Sequence, residues 1–201
     1  MSNLPVARRS AARPRRKPTY TRLLPAAVDS VFEVAFWFAD KALNDNEYLQ
    51  PRKLQQLLYF SQAYYTVAHN GQKLFPAMFV ADEVSPIEPS TDRAFANGRP
   101  SIEDELFLPD GVEEFLESVW RRFGHHTTEH LVKLSQRTAA YRVARKHGVR
   151  AEIPLEAIRA SFARATDSPA LDQVVRPKLM RSQDGRPVAV KAWNPPLSRH
   201  K

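Results

Sequence analysis

The chain of 201 residues is 43% hydrophobic and 26% charged, a composition typical of one globular domain with additional segments. It contains no cysteine, which excludes disulfides, thiolate metal centres and a cysteine nucleophile. No apolar run reaches the roughly 18 residues of a membrane-spanning helix. We therefore expect a cytoplasmic protein without a membrane partner.

The formal net charge of +8 is distributed unevenly along the chain. Residues 1–28 contain seven basic side chains and no acid, and residues 163–201 contain eight basic side chains and three acids. Residues 29–162 contain 15 basic and 19 acidic side chains. The basic character therefore belongs to the two ends, and it argues only weakly for nucleic-acid binding by the part between them.

Residues 1–28 combine four prolines with basic side chains and lack apolar periodicity, which predicts a basic flexible arm. We interpret this arm as a solubilising or loosely nucleic-acid-binding segment. A mitochondrial transit peptide is an alternative because the arm is arginine-rich, although its prolines disfavour an amphipathic helix. A twin-arginine signal is rejected because no apolar stretch follows. The candidate nucleic-acid contacts are Arg8, Arg9, Arg13, Arg15, Arg16 and Lys17.

Two helices are predicted next. Ser30 and Glu33 have the spacing of a capping box, and apolar residues at helical intervals continue to residues 44–46. The second helix begins at Pro51, which suits a first helical position, and ends at residues 69–71. Apolar side chains cover more than half of its circumference, so we expect it at the centre of a bundle.

Three further helices follow a mixed segment. Prolines prevent long elements between residues 72 and 110, where a short β element within 75–108 is allowed. A third helix is predicted from Asp110, as the N-cap, to residue 124. The fourth covers about 128–147 with a break near Arg137, and a short fifth opens at residue 154.

The helical spacing of apolar residues ends after residue 165. Residues 166–201 are rich in proline and basic side chains, and Asp184-Gly185 predicts a hairpin turn within them. We therefore expect a mainly α protein. Residues 29–165 should form a compact bundle of about five helices with a short β element, flanked by basic and largely irregular tails.

One pattern is similar to an enzyme motif. His126, Glu129 and His130 have the H-x-x-E-H spacing of inverted zinc peptidases. That chemistry needs two imidazoles on one helical face and a carboxylate that activates a zinc-bound water. Gly124 and the threonines at 127–128 instead indicate a helix end followed by a new start. We keep the three residues as weak metal candidates and predict no cofactor.

Other catalytic patterns are weaker. The six glycines form neither a phosphate-binding loop nor a dinucleotide fingerprint. Asp82-Glu83 and Glu103-Asp104-Glu105 could hold Mg²⁺ or serve as acid and base, but adjacent carboxylates diverge, which favours a solvated surface. Aromatic residues of the second helix could stack on bases, although its apolar character favours core packing. Arg121-Arg122 and the basic residues of 142–146 are scattered, so we expect no nucleic-acid site in the body.

The string from Leu49 to Tyr65, L-Q-P-R-K-L-Q-Q-L-L-Y-F-S-Q-A-Y-Y, resembles the L-T-P-x-K-L-Q-K-L-L-Y-F-A-Q helix of the Panacea domain, the SocA-like antitoxin family. Residues 74–81 resemble that family's L-F-x-x-x-F-x-A-W segment, and flanking helices extend the resemblance over about 30–163. The residues that match the family motif are Pro51, Lys53, Leu54, Gln55, Leu57, Leu58, Tyr59, Phe60, Tyr64, Phe79 and Pro86.

Two departures from the family pattern concern its loops. Gln50 stands where the family usually has a threonine cap, and residues 81–87 lack the tryptophan of the A-W-x-x-G-P-V stretch. Ser85 stands where the family has glycine, and serine resists a positive φ, so we expect a loop of different shape.

The resemblance implies a non-enzymatic bacterial antitoxin that binds a toxin directly, in some members as an adaptor that delivers the toxin to a protease. A divergent adaptor, or a nucleic-acid-associated protein acting through its basic tails, is the alternative. Interface anchors are commonly aromatic. The candidates are Trp37, Trp120, Tyr141 and Trp193.

Overall fold

The structure, a computed structural model, describes residues 25–101, 108–163, 174, 179–181 and 187–189. Within these residues seven helices and five short strands are present. The helices are α1 (Val31–Asn44), α2 (Pro51–Ala68), α3 (Pro89–Ala94), α4 (Asp110–Phe123), α5 (Thr128–Arg137), α6 (Ala139–His147) and α7 (Leu155–Ala163). The mainly helical bundle with a short β element is therefore confirmed.

The two residues before Asp29 contact the body. The backbone N–H groups of Ala27 and Val28 donate to the carbonyl oxygens of Lys73 and Leu74 at 3.0 and 2.9 Å. The side chain of Val28 is also buried in the core. These backbone bonds attach Ala27 and Val28, which the sequence assigned to the end of the arm, to the body before α1 begins. Residues 1–24 of the predicted arm lie outside the described residues.

The first two helices begin as the sequence predicts. The capping box of α1 is formed, since Glu33 accepts from the Ser30 backbone N–H at 2.8 Å and the Ser30 hydroxyl accepts from Phe32 N–H. The α2 helix starts at Pro51. Every side chain from Leu54 to Thr66 is buried, which confirms that α2 lies at the centre of the bundle.

The break expected near Arg137 is present. The predicted fourth helix is divided into α5 and α6 at Thr138, whose extended backbone ends one helix and whose hydroxyl accepts from Tyr141 N–H to begin the next. Two details of the helices differ from expectation. The α3 helix was not predicted. Asp110 is the first helical residue of α4 rather than its N-cap, a position that Pro109 occupies.

A small antiparallel sheet closes one side of the bundle. Strand β1 (Phe79–Ala81) lies between β2 (Pro86–Ile87) and β3 (Ala151–Ile153), with Val80 opposite Ile87 and Glu152. Two further strands, β4 (Leu179–Arg181) and β5 (Pro187–Ala189), pair antiparallel with each other. The predicted turn Asp184-Gly185 between them lies outside the described residues, as do most other residues of the predicted tail 166–201.

The core is aromatic around α2. The ring of Phe162 from α7 packs against those of Tyr59, Phe60 and Tyr64 with centroid distances of 5.9, 6.1 and 5.2 Å. Such edge-on contacts add to the free energy gained by burying the rings. Of the helices that the structure describes, none has both the length and the apolar character needed to span a bilayer.

Candidate protein-interaction site

Buried glutamines of α2 hold the segment that follows this helix. The side-chain oxygen of Gln62 accepts from the backbone N–H groups of Leu74 and Phe75 at 3.1 and 3.3 Å, and its amide donates to the Phe75 carbonyl. Gln55 accepts from the Glu88 backbone N–H at 2.8 Å and donates to the Thr91 hydroxyl. Polar groups of an irregular segment are thus satisfied inside the core. Gln55, one of the residues that match the Panacea motif, therefore has a structural role here.

Ser85 also belongs to this buried network. Its hydroxyl accepts from the Gln56 amide at 3.0 Å, and the residue is fully buried. Ser85 is not among the residues with positive φ, so serine adopts its conformation here without backbone strain. The oxygen of Gln56 has no hydrogen-bond partner among the described residues.

A polar cluster fixes the corner between α1 and α2. The Trp120 indole N–H donates to the Asp45 carboxylate at 2.8 Å, and Lys53 approaches Glu47 at 3.5 Å. The Lys53 ammonium also lies 5.8 Å from the centre of the Trp120 ring, and its side chain is only 11% exposed. His125 contacts Glu47 at 3.4 Å. The motif residue Lys53 and the candidate anchor Trp120 therefore both stabilise this corner.

Beside this corner lies an apolar concavity of about 180 Å³, which we call the α1–α2 depression. It is bounded by the end of α1, the start of α2 and the segment after α3. Its walls include Leu43, Tyr48, Leu49, Leu54, Phe95 and Arg99.

Two large apolar side chains of the depression are open to solvent. Leu43 is 69% exposed and Tyr48 is 75% exposed. Arg99 is held opposite them, because its guanidinium group contacts Asp40 with two nitrogens at 2.7 and 3.1 Å and covers the Phe36 ring at 5.0 Å. A preformed apolar concavity with exposed apolar groups and a fixed arginine is typical of interaction surfaces.

The zinc-motif residues are not arranged as the motif requires. His126 lies in a bend before α5, whereas Glu129 and His130 lie within that helix. The two imidazole rings are nevertheless close, with centroids 4.6 Å apart. Partial burial and the neighbouring charge of His130 lower the pKa of His126. Within the described ranges no three His, Asp or Glu side chains lie close enough to share a metal ion.

The remaining sequence candidates have separate positions. Asp82 contacts Arg150 at 3.7 Å, and the Tyr141 hydroxyl donates to the Asp82 carbonyl. The indole of Trp37 reaches Glu113 at 3.5 Å. These contacts give Asp82 and the two aromatic residues structural partners. The acidic run at 103–105 and Trp193 lie outside the described residues.

The aromatic residues of α2 belong to the core, as their pattern predicted. Tyr59, Phe60, Tyr64 and Tyr65 are all buried. The hydroxyl groups of Tyr59 and Thr138 are 3.2 Å apart, and burial raises the pKa of Tyr59 far above its ordinary value. These rings are therefore not available for stacking on bases.

Sequence reasoning missed Leu43 and Tyr48. Leu43 continues the apolar pattern of the first helix, and Tyr48 follows the polar run Asn44-Asp45-Asn46-Glu47. The sequence signal that could have indicated this surface was an aromatic residue at the end of a polar loop. Such a side chain has few apolar neighbours in the sequence to cover it. Comparisons of this chain with protein-family models, curated proteins and solved structures found no match.

Proposed function

We propose that this chain is a non-enzymatic protein-binding module, an antitoxin that neutralises a toxin protein by forming a complex with it in the bacterial cytoplasm. The observation that carries the proposal is the α1–α2 depression with its exposed Leu43 and Tyr48. The resemblance of residues 49–65 to the Panacea helix supports the antitoxin form of this function.

The size of the depression favours a protein side chain as its occupant. Pockets for drug-sized molecules enclose roughly 300–1,000 Å³, whereas the depression measures about 180 Å³. A concavity of that size accommodates one apolar anchor from a partner. Interface energy is commonly concentrated in such anchors, and the surrounding residues exclude water from them.

The charges beside the depression are paired within the body. Asp40 contacts Arg99, which lines the depression, and Glu47 contacts Lys53. The depression therefore offers a partner mainly apolar contact. We propose an apolar side chain of the toxin as its occupant.

Two variants of the function use the same surface. In the first, the chain delivers its bound partner to a protease, which requires a second and separate contact. In the second, it is an adaptor for a partner that is not a toxin. The basic tails supply a further candidate activity, association with nucleic acid, which depends on residues outside the depression.

The test begins with purification of the full-length chain from its native cells with nuclease and moderate salt. A co-purifying protein qualifies as the toxin only if it arrests growth when expressed alone and the full-length chain restores growth. Tyr48→Ala and Leu43→Ala should each weaken the purified complex by about tenfold or more. Met78→Ala is the matched control, since Met78 is 55% exposed and does not line the depression.

Three outcomes are informative. Loss of affinity in both depression variants, with the control unchanged, supports the proposal. If a toxic partner binds Tyr48→Ala and Leu43→Ala as tightly as the wild type, the antitoxin function stands. The proposal that the α1–α2 depression is the binding surface is then overturned. If the co-purifying stoichiometric partner does not affect growth, the antitoxin function is overturned and the adaptor function remains.

A further inference from the structure

Charge is segregated within the folded body. Residues 128–150, which comprise α5, α6 and the turn before β3, contain six basic side chains and one acid. The rest of residues 29–162 contains nine basic and 18 acidic side chains. The mildly acidic body therefore carries one strongly basic region, which its average charge conceals.

The basic region contains a cleft where α5 meets α6. This α5–α6 cleft has a volume of about 510 Å³ and is lined by Lys133, Gln136, Arg137 and Arg142. These residues are exposed. The break at Thr138 bends the chain so that cations from both helices surround one concavity. The structure thus brings together basic residues that appeared scattered in the sequence.

The cations of the cleft are not neutralised within the described part of the chain. None of Lys133, Arg137 and Arg142 forms an ion pair there, although Lys41, Lys53, Arg99, Arg150 and Arg159 do. Three unpaired cations around one concavity repel each other, and an anion that enters the cleft relieves this repulsion.

We propose that the α5–α6 cleft binds the phosphate backbone of a nucleic acid. Its lining contains no apolar side chain, so a protein partner finds no hydrophobic anchor in it. Arginine forks match the geometry of phosphate oxygens, and lysine and glutamine side chains also commonly contact the backbone. The amide of Gln136 is already oriented, because it donates to the Val84 carbonyl at 2.7 Å.

The basic region also continues beyond the cleft. Lys146 lies four residues after Arg142 in α6, so both exposed cations are on the same face of this helix. A nucleic acid is long enough to contact the cleft and Lys146 together, whereas a single small anion is not.

The experiment measures binding of a short labelled DNA duplex by full-length protein over a series of salt concentrations. The triple variant Lys133→Gln, Arg137→Gln and Arg142→Gln should bind about tenfold or more weakly. The slope of log affinity against log salt concentration should be smaller in magnitude by about two to three for this variant. The reason is that each phosphate contact contributes about 0.9 to that slope. Circular dichroism confirms that the variant is folded.

A matched control removes the same charge elsewhere. Arg52→Gln, Arg93→Gln and Arg121→Gln lie at exposed positions outside the cleft. This control should retain most of the affinity and of the salt dependence. If the two triple variants behave alike, net charge alone controls binding and the cleft proposal is overturned.

Two further measurements distinguish nucleic-acid binding at the cleft from binding at residues 1–24 and from binding of an acidic protein segment. A chain without residues 1–24 should bind more weakly, but the difference between the two triple variants should persist in it. Disappearance of that difference overturns the proposal, because residues 1–24 then carry the site.

Polyglutamate tests for an acidic protein segment. When its concentration of negative charges equals that of the duplex, it should not displace the duplex. Cleft-dependent binding of polyglutamate without duplex binding would overturn the proposal and identify a site for an acidic protein segment.

Discussion

The Trp120 indole N–H donates to the Asp45 carboxylate at 2.8 Å, and this bond joins α4 to the residue that follows α1. Asp45 lies three residues before Tyr48, so the bond anchors the loop that carries the exposed aromatic side chain. The surface that we propose for partner binding is therefore supported by a contact between segments 75 residues apart in sequence.

Removing this bond should affect stability and binding together. Trp120→Phe keeps an aromatic ring in the core but lacks the donor, and Asp45→Ala lacks the acceptor. A double-mutant cycle by urea unfolding should give a coupling energy of about 1 kcal/mol for the pair. Each single variant should also weaken binding of the proposed partner. A coupling energy near zero would mean that the bond does not hold the loop.

Gln62 and Gln56 should differ in what they contribute to stability. Gln62→Leu leaves the backbone N–H groups of Leu74 and Phe75 buried without their acceptor, which should cost about 3 kcal/mol or more. Gln56→Leu removes an oxygen that lacks a partner among the described residues, together with one hydrogen bond to the buried Ser85 hydroxyl, so it should cost less, about 1–2 kcal/mol. Urea unfolding of both variants measures the difference, and equal losses would contradict the assignment.

Gly124 is required by space rather than by its backbone angles. Its φ of −55° suits any residue, but a Cβ there would lie 2.6 Å from the Trp120 carbonyl oxygen and 2.7 Å from the indole ring. Gly124→Ala should therefore destabilise the fold by about 2 kcal/mol and change tryptophan fluorescence. Gly111→Ala is the control, since its Cβ would meet nothing within 4 Å. It should be neutral or stabilising by about 0.5–1 kcal/mol.

The free energy of unfolding should decrease as the pH is lowered, in part because of His126. Partial burial and the charges of His130, Arg122, Lys53 and His125 lower the pKa of His126 below 6.5, so the unfolded chain binds this proton more readily than the folded one. Its contribution is intact above about pH 6.5 and is lost as the pH falls through the lowered pKa.

Two titrations check this prediction. His126→Gln should lose less stability than the wild type between neutral and mildly acidic pH. In an NMR titration, His130→Gln should raise the pKa of His126 by removing a neighbouring charge. An unchanged His126 pKa would mean that His130 does not contribute.

The sequence predicted elements whose signals are local. The capping box at Ser30, the proline at residue 51 and the regular apolar pattern of α4 each act within one or two helical turns, and all three helices are present. The α3 helix was missed because its six residues are too short for a periodic pattern. Its N-cap, Glu88, depends on a hydrogen bond from its backbone N–H to Gln55 in α2.

The sequence by itself determined the helical segments longer than α3, that α2 is buried and that the body is mildly acidic overall. These properties follow from composition and from the spacing of neighbouring residues along the chain. Only the tertiary structure decided where the two surfaces lie. The α1–α2 depression joins α1 to Phe95 and Arg99, and the α5–α6 cleft collects its cations from two helices around Thr138. Concavities and local charge depend on distances between segments, and packing of the whole core sets those distances.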